Sequence, residues 1–340
     1  MSEAEEWTVK SLLAWTTSFF KKKGLESPRL EAEILLAHAM NATRVDLFVR
    51  HEEKPSEEAK AAFRDLVRRR GQGEPVAYLI GKKEFFTLDF AVDRSVLIPR
   101  PETEELATAA VQYARKSDNR YGKKGVSAEY AEREASNADE PAGAESEGAS
   151  ESASGARPEP EAPGKVWRVC DVGTGSGCIA VSIAKELPNS EITAIDLSED
   201  ALRTAEANAE AHGVADRIEF LCGDLLSGVP SDLPEDRRFD IIASNPPYVS
   251  EPEYAELEPT VRDYEPPMAL IGGPTGAELP IRLLDQAPDR LRSGGRLFME
   301  LSPTTVRAAA EHAGQDARWT DVEIVKDLSR LERFLFATRR

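Results

Sequence analysis

Two short stretches concentrate residues that can hold a ligand and act on it. In the first, Asp171-Val172-Gly173-Thr174-Gly175-Ser176-Gly177 follows an apolar run and precedes a helical pattern. A Gly-rich turn at a first strand-to-helix junction is where doubly wound sheets bind nucleotides, because glycine lets the backbone turn tightly and approach a ligand. The spacing is GxGxG with an Asp in front; a dinucleotide fingerprint needs its third glycine at 178, where Cys178 stands. Asp196 ends the next apolar run, where a carboxylate can accept both hydroxyls of a ribose. Gly223-Asp224-Leu225 ends the third and suits contact with an adenine amine and ring. In the second stretch, Asn245-Pro246-Pro247-Tyr248 leaves a fourth apolar run, Phe239 to Ala243. Its prolines lack N–H donors and have fixed φ, so they hold the Pro246 carbonyl and the Asn245 side chain with little motion.

The GxGxG turn with its leading Asp resembles the first motif of S-adenosylmethionine (SAM) methyltransferases, and Asn-Pro-Pro-Tyr at a fourth strand end resembles the signature of those that act on planar nitrogens. The nitrogen of an amide or an exocyclic amine is a poor nucleophile because its lone pair is delocalised. Two acceptors, the Asn245 side-chain oxygen and the Pro246 carbonyl, can hold its two N–H groups and turn the lone pair toward the methyl, with Tyr248 packed over the planar group. Catalysis of that kind rests on orientation at a near-attack distance of about 3–3.5 Å. No general base is required.

These residues need a parallel sheet to bring them together. After Gly164 the chain alternates strand and helix patterns. Strands are expected at Val166 to Val172, Glu191 to Leu197, Ile218 to Cys222, Phe239 to Ala243, Arg296 to Leu301, Val322 to Val325 and Phe334 to Thr338. Helices are expected at Cys178 to Leu187, Asp200 to His212 and between Gly276 and Leu291, with Ser198 as N-cap and Gly213 as stop for the second. The fold class is α/β, a SAM-dependent methyltransferase Rossmann-like fold with a mostly parallel seven-stranded sheet. Ahead of it, residues 1–73 show helical spacing in Leu12, Leu13, Trp15, Phe19 and Phe20, then Leu30, Ile34, Leu35 and Leu36, and form a small helical domain. Residues 74–98 alternate as Phe86, Leu88, Phe90 and Val92 and read as a β-hairpin linker; residues 99–340 form the catalytic domain, whose first helix starts at Thr103-Glu104-Glu105. Within that domain, residues 117–164 hold eleven acids against five bases and almost no large apolar side chain, a composition that predicts a disordered acidic insert.

Composition narrows the partners. With 61 acidic against 43 basic residues the net charge is -18, which repels phosphate backbones and anionic membranes, so no direct nucleic-acid or membrane contact is expected. Cys170, Cys178 and Cys222 make no CxxC pair and the four histidines are scattered, so neither a disulfide framework nor a metal site is written here. The first ten residues lack a signal-peptide pattern and no run reaches the ~18 apolar residues of a membrane span. The expectation is a cytoplasmic monomer.

Apart from the acidic insert, the chain resembles the peptide chain release factor glutamine methyltransferases, the PrmC/HemK family. The stretches that carry the resemblance are GEPVAYLIGKKEFF (73–86), LIPRPETEEL (97–106), DVGTGSGCIAVSIA (171–184), AIDLSEDAL (194–202), SNPPYV (244–249), YEPPMALIGGPTG (264–276) and KDLSRLERFL (326–335). The resemblance implies a helical domain that docks substrate, and N(5)-methylation of the glutamine in the Gly-Gly-Gln motif of class 1 release factors, with S-adenosylhomocysteine as the second product. It places SAM on Gly173, Thr174, Gly175, Ser176, Gly177, Asp196, Leu225 and Asn245, and the substrate glutamine on Asn245, Pro246, Pro247 and Tyr248. Pro101 and Thr103 are further candidates for the cofactor pocket.

The sequence departs from the family at three places that matter, the acidic insert at 117–164 being one. Leu301-Ser302 follows Glu300 where Ile-Gly is common, so no role is carried onto that turn, and Met268 stands where a basic or polar residue is usual. A sister family that methylates a ribosomal-protein glutamine shares Asn-Pro-Pro-Tyr, but its linker reads Pro-Arg-Ser-Pro where this chain has Pro-Arg-Pro-Glu-Thr. An N(6)-adenine methyltransferase has nearly the same motif chemistry, yet should show a basic face and a target-recognition domain. A SAM-binding regulatory protein would keep the glycines without needing Asn245.

Overall fold

The computed structural model describes residues 7–117 and 165–340. The insert expected at 117–164 lies, apart from Ser117, outside the described residues.

The chain begins as a helical bundle: α1 (Val9–Lys22), α2 (Pro28–Ala39), α3 (Arg44–Val49), α4 (Glu57–Arg70) and α5 (Val76–Ile80). Local chemistry sets the first boundary, since Thr8 and Ser11 form a reciprocal capping box that satisfies two backbone donors. The apolar faces of these helices meet in a core of Phe20, Leu35, Leu36, Leu47, Phe63, Val67 and Leu79.

Within the 74–98 segment the hairpin is preceded by a helix, α5, to which Leu79 belongs. Pro75 opens that helix and Gly81, at φ 72°, closes it in the left-handed conformation, while Leu79 is drawn into the bundle core. The hairpin itself is β1 (Lys82–Phe85) and β2 (Leu88–Ala91), paired antiparallel. Phe86, expected in a strand, sits in the two-residue turn with Thr87, both at positive φ (50° and 63°). That geometry matches the right-handed twist of the strands it joins. It also lets Phe85 and Phe90 both point into the core.

The α/β unit opens with α6 (Pro101–Ser117) and continues as β3 (Trp167–Val172), α7 (Cys178–Glu186), β4 (Ser190–Asp196), α8 (Glu199–Ala211), β5 (Ile218–Cys222) and β6 (Phe239–Ser244). A short strand β7 (Val249–Ser250) leads through α9 (Glu251–Glu256) and α10 (Pro259–Arg262) to β8 (Ile271–Gly273). Then come α11 (Glu278–Gln286), β9 (Leu291–Glu300), α12 (Thr305–Gln315), β10 (Trp319–Lys326) and β11 (Glu332–Arg339). The seven-stranded sheet has the order β10-β11-β9-β6-β3-β4-β5. Every neighbouring pair from β9 to β5 is parallel, and β11 is antiparallel to both of its neighbours. One face is covered by α6, α7 and α8 through Leu106, Ala110, Ile179, Ile183 and Ala209, the other by α11 and α12 through Leu283, Leu284, Val306 and Ala309. β3 is flanked by β4 on one side and β6 on the other, so the order of strands reverses there and opens a crevice at the carboxyl ends.

Candidate active site

The crevice is a cleft of about 470 Å3 whose lining includes Gly173 through Ser176, Asp196, Asp224, Leu225 and Asn245. That volume suits a ligand of nucleoside size. Gly173, Gly175 and Gly177 all have positive φ. At Gly177 a second constraint applies, because a Cβ there would lie 3.1 Å from the Ala205 Cβ of α8. Its absence lets α7 start close against α8. The turn is pinned from below by Asp171, whose Oδ2 accepts from the Thr174 hydroxyl (2.7 Å) and the Ala180 N–H (3.1 Å). Complete burial pushes the Asp171 carboxyl up to about 7, against those two hydrogen bonds. Asn208 fastens the turn from the side, donating to the Ser176 carbonyl and bonding both backbone groups of Ala91 in the hairpin.

Asp196 stands at the end of β4 with Oδ2 accepting from Gly175 N–H and Oδ1 from Ser198 N–H, both at 2.9 Å. Burial raises its pKa, opposed by these backbone bonds. Each carboxylate oxygen retains acceptor capacity beyond the bond already made, so the pair fits two vicinal ribose hydroxyls. Ser198 caps α8 as its sequence position implied, and Gly213, at φ 66°, ends the turn after it. The donor set therefore fits the nucleoside part of SAM. Asp224 also reaches the cleft, but its Oδ2 forms an ion pair with Arg282 (2.7 Å) and the side chain is about half exposed. Leu225 holds a left-handed φ of 53° that turns the chain away after β5.

Asn245 leaves β6 beside the Gly turn, because the parallel register pairs Val172 with Ser244. Asn245 and Pro247 line the cleft; Pro246 and Tyr248 do not. Tyr248 instead packs half-buried against the Leu283–Met299 side of the core, where burial pushes its phenol up to about 12. A Gly-rich loop explains how closely this backbone is held. A Cβ on Gly272 would lie 2.5 Å from both the Pro247 and Gly276 carbonyl oxygens, and one on Gly276 would collide with the Tyr248 carbonyl. The glycines of Ile-Gly-Gly-Pro-Thr-Gly are a backstop for Asn-Pro-Pro-Tyr.

Three groups at the site were not evident as a set from the sequence. The Asn245 Nδ2 donates to the Thr103 hydroxyl at 3.2 Å, and the Thr103 side chain lies beside the carboxylate of Glu300 at the end of β9, whose charged form it favours. Thr103 and Glu300 are both buried. Arg100 and the buried Glu265 form an ion pair at 2.7 Å, and Glu265 also accepts from Ile98 N–H. This pair joins the 94–100 segment to the loop around Pro266 and Met268, and both flank the cleft. Met268 is 55% exposed there and gives the cleft an apolar lip. Tyr264 extends the connection, donating to the Gln72 carbonyl while its ring lies under the Arg94 guanidinium. Sequence signals existed for Thr103, already a candidate for the cofactor pocket, and for Glu300, an ionisable residue closing an otherwise apolar strand.

Two families match this chain: the PrmC N-terminal domain at residues 11–81 and a methyltransferase domain at 164–323. The release factor glutamine methyltransferase of Rhodopirellula baltica is 43% identical over 331 residues, covering 97% of this chain and 95% of that protein. The protein of the same name from Chlorobaculum tepidum is 37% identical and covers 98% of each chain. Among solved structures, TrmN from Thermus thermophilus aligns at 25% identity over 52% of this chain and 44% of that one, with a TM-score of 0.37. The fold is that of the SAM-dependent methyltransferases, and over nearly its whole length the chain belongs to the release factor glutamine methyltransferase family.

Proposed function

We propose that this protein transfers a methyl group from SAM to the side-chain amide nitrogen of the glutamine in the Gly-Gly-Gln motif of class 1 release factors. The observation that carries the reading is the placement of Asn245 on the cleft wall, bonded through Nδ2 to Thr103 and, among the described residues, with no partner on Oδ1. That oxygen is an acceptor held ready for an amide N–H. The rigid Pro246-Pro247 backbone, followed by Pro247 and Tyr248 atoms packed against Gly272 and Gly276, would offer the Pro246 carbonyl as second acceptor. When bound, SAM supplies the electrophilic methyl on its sulfonium sulfur. Gly173 to Gly177 would seat its amino-acid end, Asp196 its ribose, and Asp224 with Leu225 its adenine. Asn245 and Pro246 then orient the amide so that its lone pair faces the cleft, and no side chain need remove a proton before transfer.

Residues 1–73 would dock the protein substrate, 74–98 link, and 99–340 do the chemistry. Val45, Phe48 and Val49 support docking, because α3 leaves all three side chains exposed. Among the described residues no helix is long and apolar enough to cross a membrane and no cluster could hold a metal ion. A cytoplasmic, metal-independent monomer is the form proposed. The test is methyl incorporation from labelled SAM into a purified class 1 release factor, its Gly-Gly-Ala variant and adenine-containing DNA. Labelling of the first alone supports the reading; labelling of DNA, or equal labelling of both proteins, overturns it.

A further inference from the structure

Asn245 can serve a glutamine amide only if its oxygen, not its nitrogen, faces the substrate. Nothing in the shape of an amide decides this, since the two ends are nearly the same size. The decision comes from what lies behind it. Thr103, in the first turn of α6, has one hydroxyl proton to donate and lone pairs to accept with. A proton turned toward the neighbouring Glu300 carboxylate, whose charged form Thr103 favours and which as an anion can only accept, leaves lone pairs alone facing Asn245. The Thr103 oxygen is then left as an acceptor, and only the Nδ2 of Asn245 can meet it.

We propose that Thr103 and Glu300 are positioning residues for methyl transfer, which fix the polarity of the Asn245 side chain so that Oδ1 alone is presented to the substrate amide. This rests on the methyl-transfer reading of the site. The three residues come from α6, the end of β6 and the end of β9, and nothing in their hydrogen bonding requires that order except a carboxylate at its root. The Glu300 Oε2 has no hydrogen-bond partner, so Thr103 is not competing with a better-satisfied network.

The arrangement is sensitive to protonation. A neutral Glu300 could donate to the Thr103 oxygen, freeing that hydroxyl to donate to Asn245 and letting the amide turn over. The charged and titratable groups facing Glu300 are Arg333 on β11, Arg100 and Glu102 around the start of α6, Tyr248, and Cys178 at the start of α7. Burial outweighs the two arginines and pushes the carboxyl up to about 7. The oriented state is therefore favoured as the pH rises past that value and lost as the pH falls through it.

Thr103→Val keeps the side-chain shape and removes the hydroxyl that Asn245 bonds to. It should lower kcat on the release factor about a hundredfold, with the KM for SAM changed only a few-fold, and Thr103→Ser should recover most of the loss. At saturating SAM the wild-type kcat should fall on the acid side of neutrality, and Glu300→Gln should flatten that limb. A second readout needs no substrate. The side-chain amide NMR signal of Asn245, assigned by its disappearance in Asn245→Ala, should shift with pH in the wild type and stay fixed in Glu300→Gln and Thr103→Val. A wild-type-like acid limb in Glu300→Gln, kcat within twofold of wild type in Thr103→Val, or an Asn245 signal that titrates identically in all three proteins overturns the proposal. A wild-type enzyme that shows the NMR behaviour but methylates no release factor supports the positioning and overturns the functional reading instead.

Discussion

Replacing Gly272 with alanine tests whether the Asn-Pro-Pro-Tyr backbone must be held as tightly as the structure implies. Gly272 lies in β8 and does not line the cofactor cleft, so the substitution reaches the chemistry only through the backbone it touches. The new Cβ would begin 2.5 Å from the Pro247 and Gly276 carbonyl oxygens and 2.9 Å from the Tyr248 Cα, where ordinary contact starts near 3.4 Å. Relief needs a retreat of about 0.9 Å, shared between the loop and the Asn245–Tyr248 segment. Overpacking of this kind costs about 1–3 kcal/mol of stability. A misplacement of about 1 Å at a reacting group lowers the rate about a hundredfold, equivalent to about 2.7 kcal/mol in the barrier. Gly272→Ala should therefore fold with a lower melting temperature, bind SAM within a few-fold of wild type, and lose one to two orders of magnitude in single-turnover methylation. Calorimetry for SAM and rapid-quench methylation separate the two effects. A folded variant with wild-type turnover, or a loss confined to SAM affinity, would show that the glycine backstop does not position this segment.

Asn245→Ala should leave the SAM dissociation constant within a few-fold and lower methylation by orders of magnitude, measured with labelled SAM; near-normal turnover would refute orientation catalysis. Asp196→Ala removes an anionic acceptor shared by Gly175, Ser198 and the ribose site, and should weaken SAM binding about ten- to a hundredfold by titration calorimetry. Unchanged affinity would remove Asp196 from the site. Asp171 is buried with a folded-state value of about 7, above the ~3.9 of an unfolded chain, so its favourable contribution is full below that lower value and is lost as pH rises to the upper one. Asp171→Asn should accordingly gain melting temperature relative to wild type between about pH 5 and pH 8, and parallel melting curves across that range would refute the assignment.

The parts of the site that could be read from sequence are those where one contiguous stretch does one job. Gly173 to Gly177 announce a tight turn because three nearby positions need positive φ, and Asp196 and Asn245 each close an apolar run that had to be a buried strand. Ser198 and Gly213 marked the ends of α8 for reasons local to the chain. What escaped was distributed. Thr103, Asn245 and Glu300 come together only when α6 crosses the carboxyl ends of β6 and β9, and no spacing records that meeting. Phe86 and Thr87 take left-handed conformations without a glycine, so their strand-like side chains misled the alternation count. α12 was missed because Ala308, Ala309 and Ala310 give little apolar contrast, although Val306, Ala309 and Ala313 are buried against the sheet.

The central claim, that this cleft delivers a methyl group to a glutamine amide, is tested most directly by locating the modification. Purified protein, SAM and a class 1 release factor are incubated together, and the peptide carrying Gly-Gly-Gln is fragmented by mass spectrometry. The account predicts one added methyl on the glutamine side-chain nitrogen, absent when Asn245→Ala replaces the wild type. A methyl on any other residue, or an unmodified peptide from a folded, SAM-binding enzyme, would contradict it.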